Sequence, residues 1–305
     1  MTQPVWTTGH PPTKRTDWPS VSIAICTRNR HESLRRAVAA VVAADPDVEE
    51  LLIIDQSDEF IPLERPWTRG FRHVRSESRG VSRACNEALR LATTEIVFFT
   101  DDDCLLQPGS VEAAVAMFAK QPEVGLVFGA VRAEPSVTAE GFIPTYEPPR
   151  RQVLRGRLGK LRDGGIGACL AVRRQAALAI GGFDVRLGGG TPLTTCQDGE
   201  FAYRMLKGGF ALGHEPAAWV LHEGVKPWRE GSRYAYLTYR GVGAAYALHL
   251  RRGDGVAALL LLQQMLFALG EISRNVLRGR WKQTGVRRLQ GLAAGVVTGL
   301  VLSAT

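Results

Sequence analysis

The chain has 305 residues, 45% hydrophobic and 22% charged, enough for one large α/β domain with an appendage and able to bury a core. Its five cysteines (Cys26, Cys85, Cys104, Cys169, Cys196) are odd in number and far apart, without a CxxC pair or zinc-type Cys/His spacing, which argues against a disulfide framework or structural zinc. The net charge of +8 sits entirely in the last quarter: 12 Lys/Arg against three acids from Lys226 onward, but 26 against 27 before it. That asymmetry suits a basic tail meeting an anionic surface and disfavours a nucleic-acid binder.

Residues 1–19 are polar and proline-rich and read as a flexible arm. They show no apolar h-region, so a secretory signal is not expected and the cytoplasm is the expected compartment. Residues 21–26 (VSIAIC) read as a buried strand, with a helix over 32–44. A second strand, 51–55 (LLIID), ends on Asp55, and a loop rich in Pro and Arg leads to a helix over 81–93. The third strand, 95–100 (EIVFFT), runs directly into Asp101, Asp102 and Asp103. Then come a helix over 110–120, a strand over 125–132 and a basic, loop-like stretch over 142–163. Residues 167–172, a helix to 180, a glycine-rich turn at 181–190, a helix over 197–208 and a strand over 217–222 complete the body. Strand–helix alternation of this kind predicts an α/β, Rossmann-like fold with a mostly parallel central sheet covered on both faces. Ligands gather at the carboxyl ends of such strands, where Thr27, Asp55 and the acidic triplet fall.

The triplet is the strongest chemical signal. Three adjacent carboxylates at a strand end repel one another unless a cation or solvent relieves them. Mg²⁺ is commonly held by one or two carboxylates together with substrate phosphates. No GxGxxG follows a strand and no GxxxxGK[ST] occurs, which disfavours dinucleotide and P-loop chemistry.

These motifs resemble, in order, those of the family 2 glycosyltransferases, which have the glycosyltransferase A-type fold. The resemblance covers residues 21–222. VSIAICTRNR resembles the family's opening strand and nucleotide turn, LLIIDQS its second strand, RGVSRACNEAL its helix over the donor, and FFTDDDC its DxD-type motif. GIGACLAVRR, IGGFD, GGGTPL, QDGEFAYRML and WVLH follow in the family's order. The resemblance implies a metal-dependent, inverting transferase that moves a sugar from a nucleotide-sugar donor to a glycan or lipid-linked hydroxyl. Thr27, Arg28, Asn29 and Asp55 would line the base and ribose, Asp101 the ribose, and Asp103 the Mg²⁺ or Mn²⁺ bridging the diphosphate. Asp102 would support either role. Arg83 is either a diphosphate contact or a surface cation, and His222 either reaches the metal or is structural. Asp198 falls on the general base. Here the chain departs from the family pattern, with Gln197 where a Glu usually precedes the base and Glu200 as the later acid. Competing readings are a nucleotidyltransferase, although CTRNRHES lacks that class's glycine-rich loop, and a non-catalytic sugar-nucleotide-binding or scaffold protein.

Residues 226–305 form a basic, amphipathic helical extension after the catalytic domain of residues 20–225. Residues 256–269 are apolar but short of the ~20 a spanning helix needs. Arg274, Arg278, Arg280, Trp281, Lys282, Arg287 and Arg288 lie between them and a second apolar run at 292–302, while Tyr234, Tyr236, Tyr239 and Tyr246 lie upstream. This mixture predicts peripheral attachment at the inner face of the membrane, with packing on the body or a dimer interface as the alternative.

Overall fold

The computed structural model describes residues 18–45, 48–64, 68–134, 141–278 and 283–302. Most of the expected arm, and Arg280, Trp281 and Lys282 of the basic segment, lie outside the described residues. Four strands, β1 (Val21–Thr27), β2 (Glu50–Asp55), β3 (Phe71–Arg75) and β4 (Ile96–Asp101), pair in parallel in the order β3-β2-β1-β4. Along them, Ile23, Ile25, Leu51 and Ile53 enter one core while Ala24, Leu52, Ile54 and Phe99 enter the other. Burial on both faces explains the unbroken apolar runs in the sequence. Helices α1 (His31–Ala44) and, further on, α3 (Ser110–Lys120) cover the first face through Leu34, Val41 and Phe118. Helices α2 (Val81–Leu91), α4 (Arg174–Ala179) and α5 (Gln197–Lys207) cover the second through Leu89, Ala177 and Phe201.

The other half of the sheet is mixed. It contains β5 (Cys104–Leu106), β6 (Val124–Ala133), β8 (Gln152–Leu154), β9 (Cys169–Arg173) and β10 (Ala211–His222). Strand β9 lies antiparallel between β4 and β6, β10 runs parallel to β6, and β5 and β8 pair antiparallel with β10. Among the described residues, the link from β6 to β9 contains no α-helical crossover, and β9 returns antiparallel. The parallel expectation therefore describes the first half only. Strand β3 lies where a loop was expected; its sequence, FRHVR, carries three basic side chains because it is a sheet edge. Strand β10 starts six residues before the expected 217, and its register shifts between Glu215 and Trp219, around Pro216. Opposite that shift, a Cβ on Gly129 would lie 2.4 Å from the Ala218 carbonyl oxygen, so the bulge needs glycine there. A small second sheet pairs β7 (Gly141–Phe142) with β11 (Lys226–Pro227).

The C-terminal extension is three helices: α6 (Gly231–Arg251), α7 (Gly255–Leu277) and α8 (Thr284–Val301). Helix α6 docks on the body, where His249 Nε2 lies 3.0 Å from Glu200 Oε1 and Tyr246 meets Tyr203 edge to face. Helix α8 approaches α6 backbone to backbone: a Cβ on Gly291 or Gly295 would lie 2.2 Å from the carbonyl oxygen of Tyr236 or Arg240. Helix α7 begins at Asp254, whose carboxylate accepts the Val256 N–H. It corrects the 14-residue expectation. The helix continues through Leu277, and its 23 residues, with a best-window mean hydropathy of 1.7, are long and apolar enough to cross a membrane by length and composition. Its apolar side chains are also largely uncovered, Leu266 and Phe267 being 56% and 54% exposed.

Candidate active site

The parallel register sets Thr27 level with Asp55, and Cys26 level with Asp101, at one edge of the sheet. Beyond β1 the chain turns on Asn29, whose φ of 56° is unusual for a residue with a side chain. The cost is met by a clamp. Asn29 donates its backbone N–H to Ser57 Oγ (2.8 Å) and its amide to Asp58 (2.8 Å), and its Oδ1 accepts the Asp58 N–H (2.9 Å). Arg28 reaches the same Asp58 carboxylate at 3.4 Å. Thr27 donates to Asp102 Oδ2 at 2.6 Å, so it orients an acid of the triplet. Asp55 is fully buried: Oδ1 accepts the Ser57 N–H, and Oδ2 lies 3.1 Å from His73 Nε2. Contact between Asp55 and a base would require this shell to open. Arg83 stands exposed on the first turn of α2.

The turn also delivers Arg30, which the sequence reading did not single out. Its Nη1 lies 2.9 Å from both Asp102 Oδ1 and Asp103 Oδ2. A guanidinium thus supplies positive charge among the acids. Even so, burial, then Asp103, Asp102 and Asp198, push the Asp101 carboxyl up to about 7. Burial also raises Asp102, against the pull of Thr27 and Arg30.

Asp101, Asp103, Cys104 and His222 each bring one potential ligand atom within 4.8 Å of the others. The antiparallel register of β5 and β10 sets His222 opposite Cys104 and so closes the cluster. Gly224 permits the approach, since a Cβ there would lie 2.4 Å from Asp103 Oδ2. The carboxylates suit a hard cation such as Mg²⁺ or Mn²⁺. Burial holds the Cys104 thiol well above its ordinary value, in the protonated form. His222 is held below its usual range, chiefly by burial, and is neutral. Its Nδ1 accepts the Gly224 N–H at 2.9 Å, which puts the ring proton on Nε2, 3.7 Å from Asp103. Ligation through Nε2 requires that contact to break.

Asp198 occupies the first turn of α5. Oδ2 accepts the Gly167 N–H and Oδ1 the Gly199 N–H, both at 2.7 Å, while burial raises its carboxyl above the usual range. The preceding Cys196 has a φ of 71°. It and Asn29 are the two non-glycine residues at positive φ among the described residues, and both adjoin the site. Glu200 instead faces away, bound by Arg204 (2.7 Å) and His249 (3.0 Å).

Beneath Asp198 lies a buried polar chain that the sequence reading missed. Lys160 Nζ is 2.5 Å from Asp163 Oδ2, and Tyr146 Oη is 2.5 Å from His214 Nδ1. His214 Nε2 is 3.1 Å from Asp163 Oδ1, near enough for an ion pair though poorly aligned for a hydrogen bond. Asp163 also accepts the Gly165 N–H (3.2 Å) and so anchors the loop that presents Gly167 to Asp198.

Residues 22–181 match the family model described as glycosyl transferase family 2. The chain belongs to the glycosyl transferase family 2. It is 26% identical over 296 residues to the pre-mycofactocin glycosyltransferase of Mycobacterium tuberculosis, an alignment covering 92% of this chain and 56% of that one. The chain thus spans little more than half the length of that relative. Among solved structures it is similar to the mannosyltransferase PcManGT from Pyrobaculum calidifontis, determined with GDP-Man and Mn²⁺ (TM-score 0.60, 18% identity, 94% and 88% of the two chains). It is also similar to S. aureus TarS (TM-score 0.57, 13% identity, 92% and 83%). The fold is the glycosyltransferase A type with a helical C-terminal region.

The acid cluster predicts a metal-linked pH response. Because Asp101 is raised, the native state binds more protons than the unfolded chain between about 4 and 7, and stability falls as pH rises through that window. The melting temperature of metal-free protein should drop by several degrees between pH 5 and pH 8, and millimolar MnCl₂ should remove most of the drop. A melting temperature independent of both pH and Mn²⁺ would contradict a cation site at Asp101.

Proposed function

We propose that this chain transfers a glycosyl group from a nucleotide-sugar donor to a hydroxyl of a glycan or lipid-linked acceptor, with inversion at the anomeric carbon. The observation that carries the reading is the convergence of Asp101, Asp103 and His222 at the sheet edge, with the Asp198 charge acting on Asp101. Asp103, with His222 once freed from Gly224, would hold Mg²⁺ or Mn²⁺, and Asp101, which the resemblance sets on the ribose, lies close enough to join them. When bound, such an ion would supply charge stabilisation to the departing nucleoside diphosphate. The turn of Thr27, Arg28 and Asn29 would border the nucleotide, and Arg83, exposed on the first turn of α2, would approach the diphosphate. Asp102, set by Thr27 and Arg30, keeps the neighbouring acids oriented. Asp198 takes the proton of the acceptor hydroxyl, and the Gly167 and Gly199 amides fix its direction. The solved neighbour determined with GDP-Man and Mn²⁺ supports a nucleotide-sugar donor with a divalent ion.

The same reading places the enzyme in the cytoplasm, against the anionic inner face of a membrane. Of the 14 large apolar side chains exposed among the described residues, 12 lie on α7 and α8. Arg274, Arg278, Arg287 and Arg288 flank them, as an interfacial helix in anionic lipid requires. Donor binding is the direct test. Calorimetry with UDP-glucose, UDP-galactose, GDP-mannose and dTDP-rhamnose should find a donor whose affinity needs Mn²⁺ and is lost in EDTA and in Asp103→Ala. Equal affinity in all three conditions would remove the metal from the mechanism.

A further inference from the structure

Three rings gather beside the site without a role in donor binding. Phe142, on β7, lies 5.7 Å from the Trp228 ring and 5.4 Å from the Tyr234 ring, centroid to centroid. Lys226 Nζ stands 5.4 Å over Tyr234. The β7–β11 pairing fixes the group by setting Lys226 opposite Phe142, and a Cβ on Gly141 would lie 2.2 Å from the Lys226 carbonyl oxygen. Trp228 is nevertheless 65% exposed. Outside α7 and α8, Leu158 is the other exposed large apolar side chain among the described residues, and Trp228 is the one backed by aromatic rings.

The position of the cluster follows from the chain segments that carry it. Lys226 follows His222 of the metal-type cluster by four residues, and Thr195, three residues before Asp198, donates to the Thr238 carbonyl (3.0 Å), one helical turn beyond Tyr234. The segments carrying the rings therefore adjoin both the acids at the sheet edge and the base on α5. An acceptor must enter there, because its hydroxyl has to reach Asp198. The chemistry of the surface narrows what it can hold. An exposed indole packed on a benzyl ring, with a phenol and an ammonium on that ring's other neighbour, matches a pyranose, which offers a flat C–H face and a rim of hydroxyls. An acyl chain would want aliphatic walls, whereas these ring contacts are aromatic.

We propose that Phe142, Trp228 and Tyr234 form the acceptor subsite and that it takes the face of a sugar ring, so that the acceptor is a glycoside. The proposal rests on the reading of Asp198 as the base. It is tested by saturation-transfer NMR on the full chain with the methyl glycosides of glucose, galactose, mannose, N-acetylglucosamine and rhamnose. At least one should receive saturation on its ring C–H protons. Trp228→Ala should weaken that binding about tenfold or more, and Trp228→Phe should restore much of it. The exposure of Trp228 makes both variants safe for folding. No signal from any glycoside, or signals unchanged in Trp228→Ala, would overturn the proposal. So would a Trp228→Ala variant that loses binding to anionic vesicles while glycoside signals persist, since the ring would then be a lipid contact. Metal-dependent donor binding, measured on the same samples, reports separately on the donor side. Its absence alongside intact glycoside signals would count against the catalytic reading and leave the subsite standing.

Discussion

Asp198→Asn should lower turnover by about 10²-fold or more while leaving donor affinity nearly unchanged. The amide keeps the shape of the carboxylate but cannot take up the acceptor proton. The carboxylate is held by two backbone N–H groups at 2.7 Å, and burial raises its proton affinity above that of an ordinary aspartate. A base is active when deprotonated, so wild-type activity should be full above the Asp198 pKa and fall as pH drops through it. That acid limb should lie above the usual aspartate range and vanish from the residual activity of Asp198→Asn. Steady-state kinetics across pH, with calorimetric donor affinity, separate the two effects. A variant retaining a third or more of its turnover would exclude Asp198 as the base.

Asp163→Ala should cost roughly 3–5 kcal/mol of stability, because it strands the buried Lys160 ammonium without its partner. Burial works against the Asp163 charge, but Lys160 and His214 outweigh it and hold the carboxyl well below its usual range. Stability from such a depressed group is present above the unfolded-state pKa and is lost as pH falls through the folded one, here in strong acid. Lys160→Met combined with Asp163→Leu should recover much of the loss, since both charges then leave the interior together. Urea denaturation of the single and double variants measures this. A single-variant loss under about 1 kcal/mol would mean that water or another group already compensates Lys160. Asp163→Ala should also loosen the Gly165–Gly167 loop, and with it one of the two contacts that aim Asp198.

The sequence made legible whatever had local periodicity or a dense chemical signature. The runs that became β1, β2 and β4 are apolar on both faces, so their ends could be placed and the acidic triplet set at one of them. Arg30 was harder. TRNR offers two arginines, and the left-handed Asn29 between them decides that Arg30 meets Asp102 and Asp103 while Arg28 turns to Asp58. Asp55 looked open because β3, which brings His73 over it, is a basic edge strand without an apolar pattern. Cys104 joined the metal-type cluster through the register of a three-residue strand, too short to signal itself. The Lys160–Asp163–His214–Tyr146 chain joins residues up to 68 positions apart, and no spacing in the sequence ties them. In α7, the charged residues after Gly270 masked a helix that continues to Leu277.

Whether sugar transfer inverts, with Asp198 as base, is read from the anomeric configuration of the first product. Proton NMR can follow the donor selected by metal-dependent binding, with water or a methyl glycoside as acceptor, before mutarotation sets in. The first anomer formed should be inverted relative to the donor, and Asp198→Asn should form it at least about 10²-fold more slowly. A first product with the donor's configuration retained would contradict inversion.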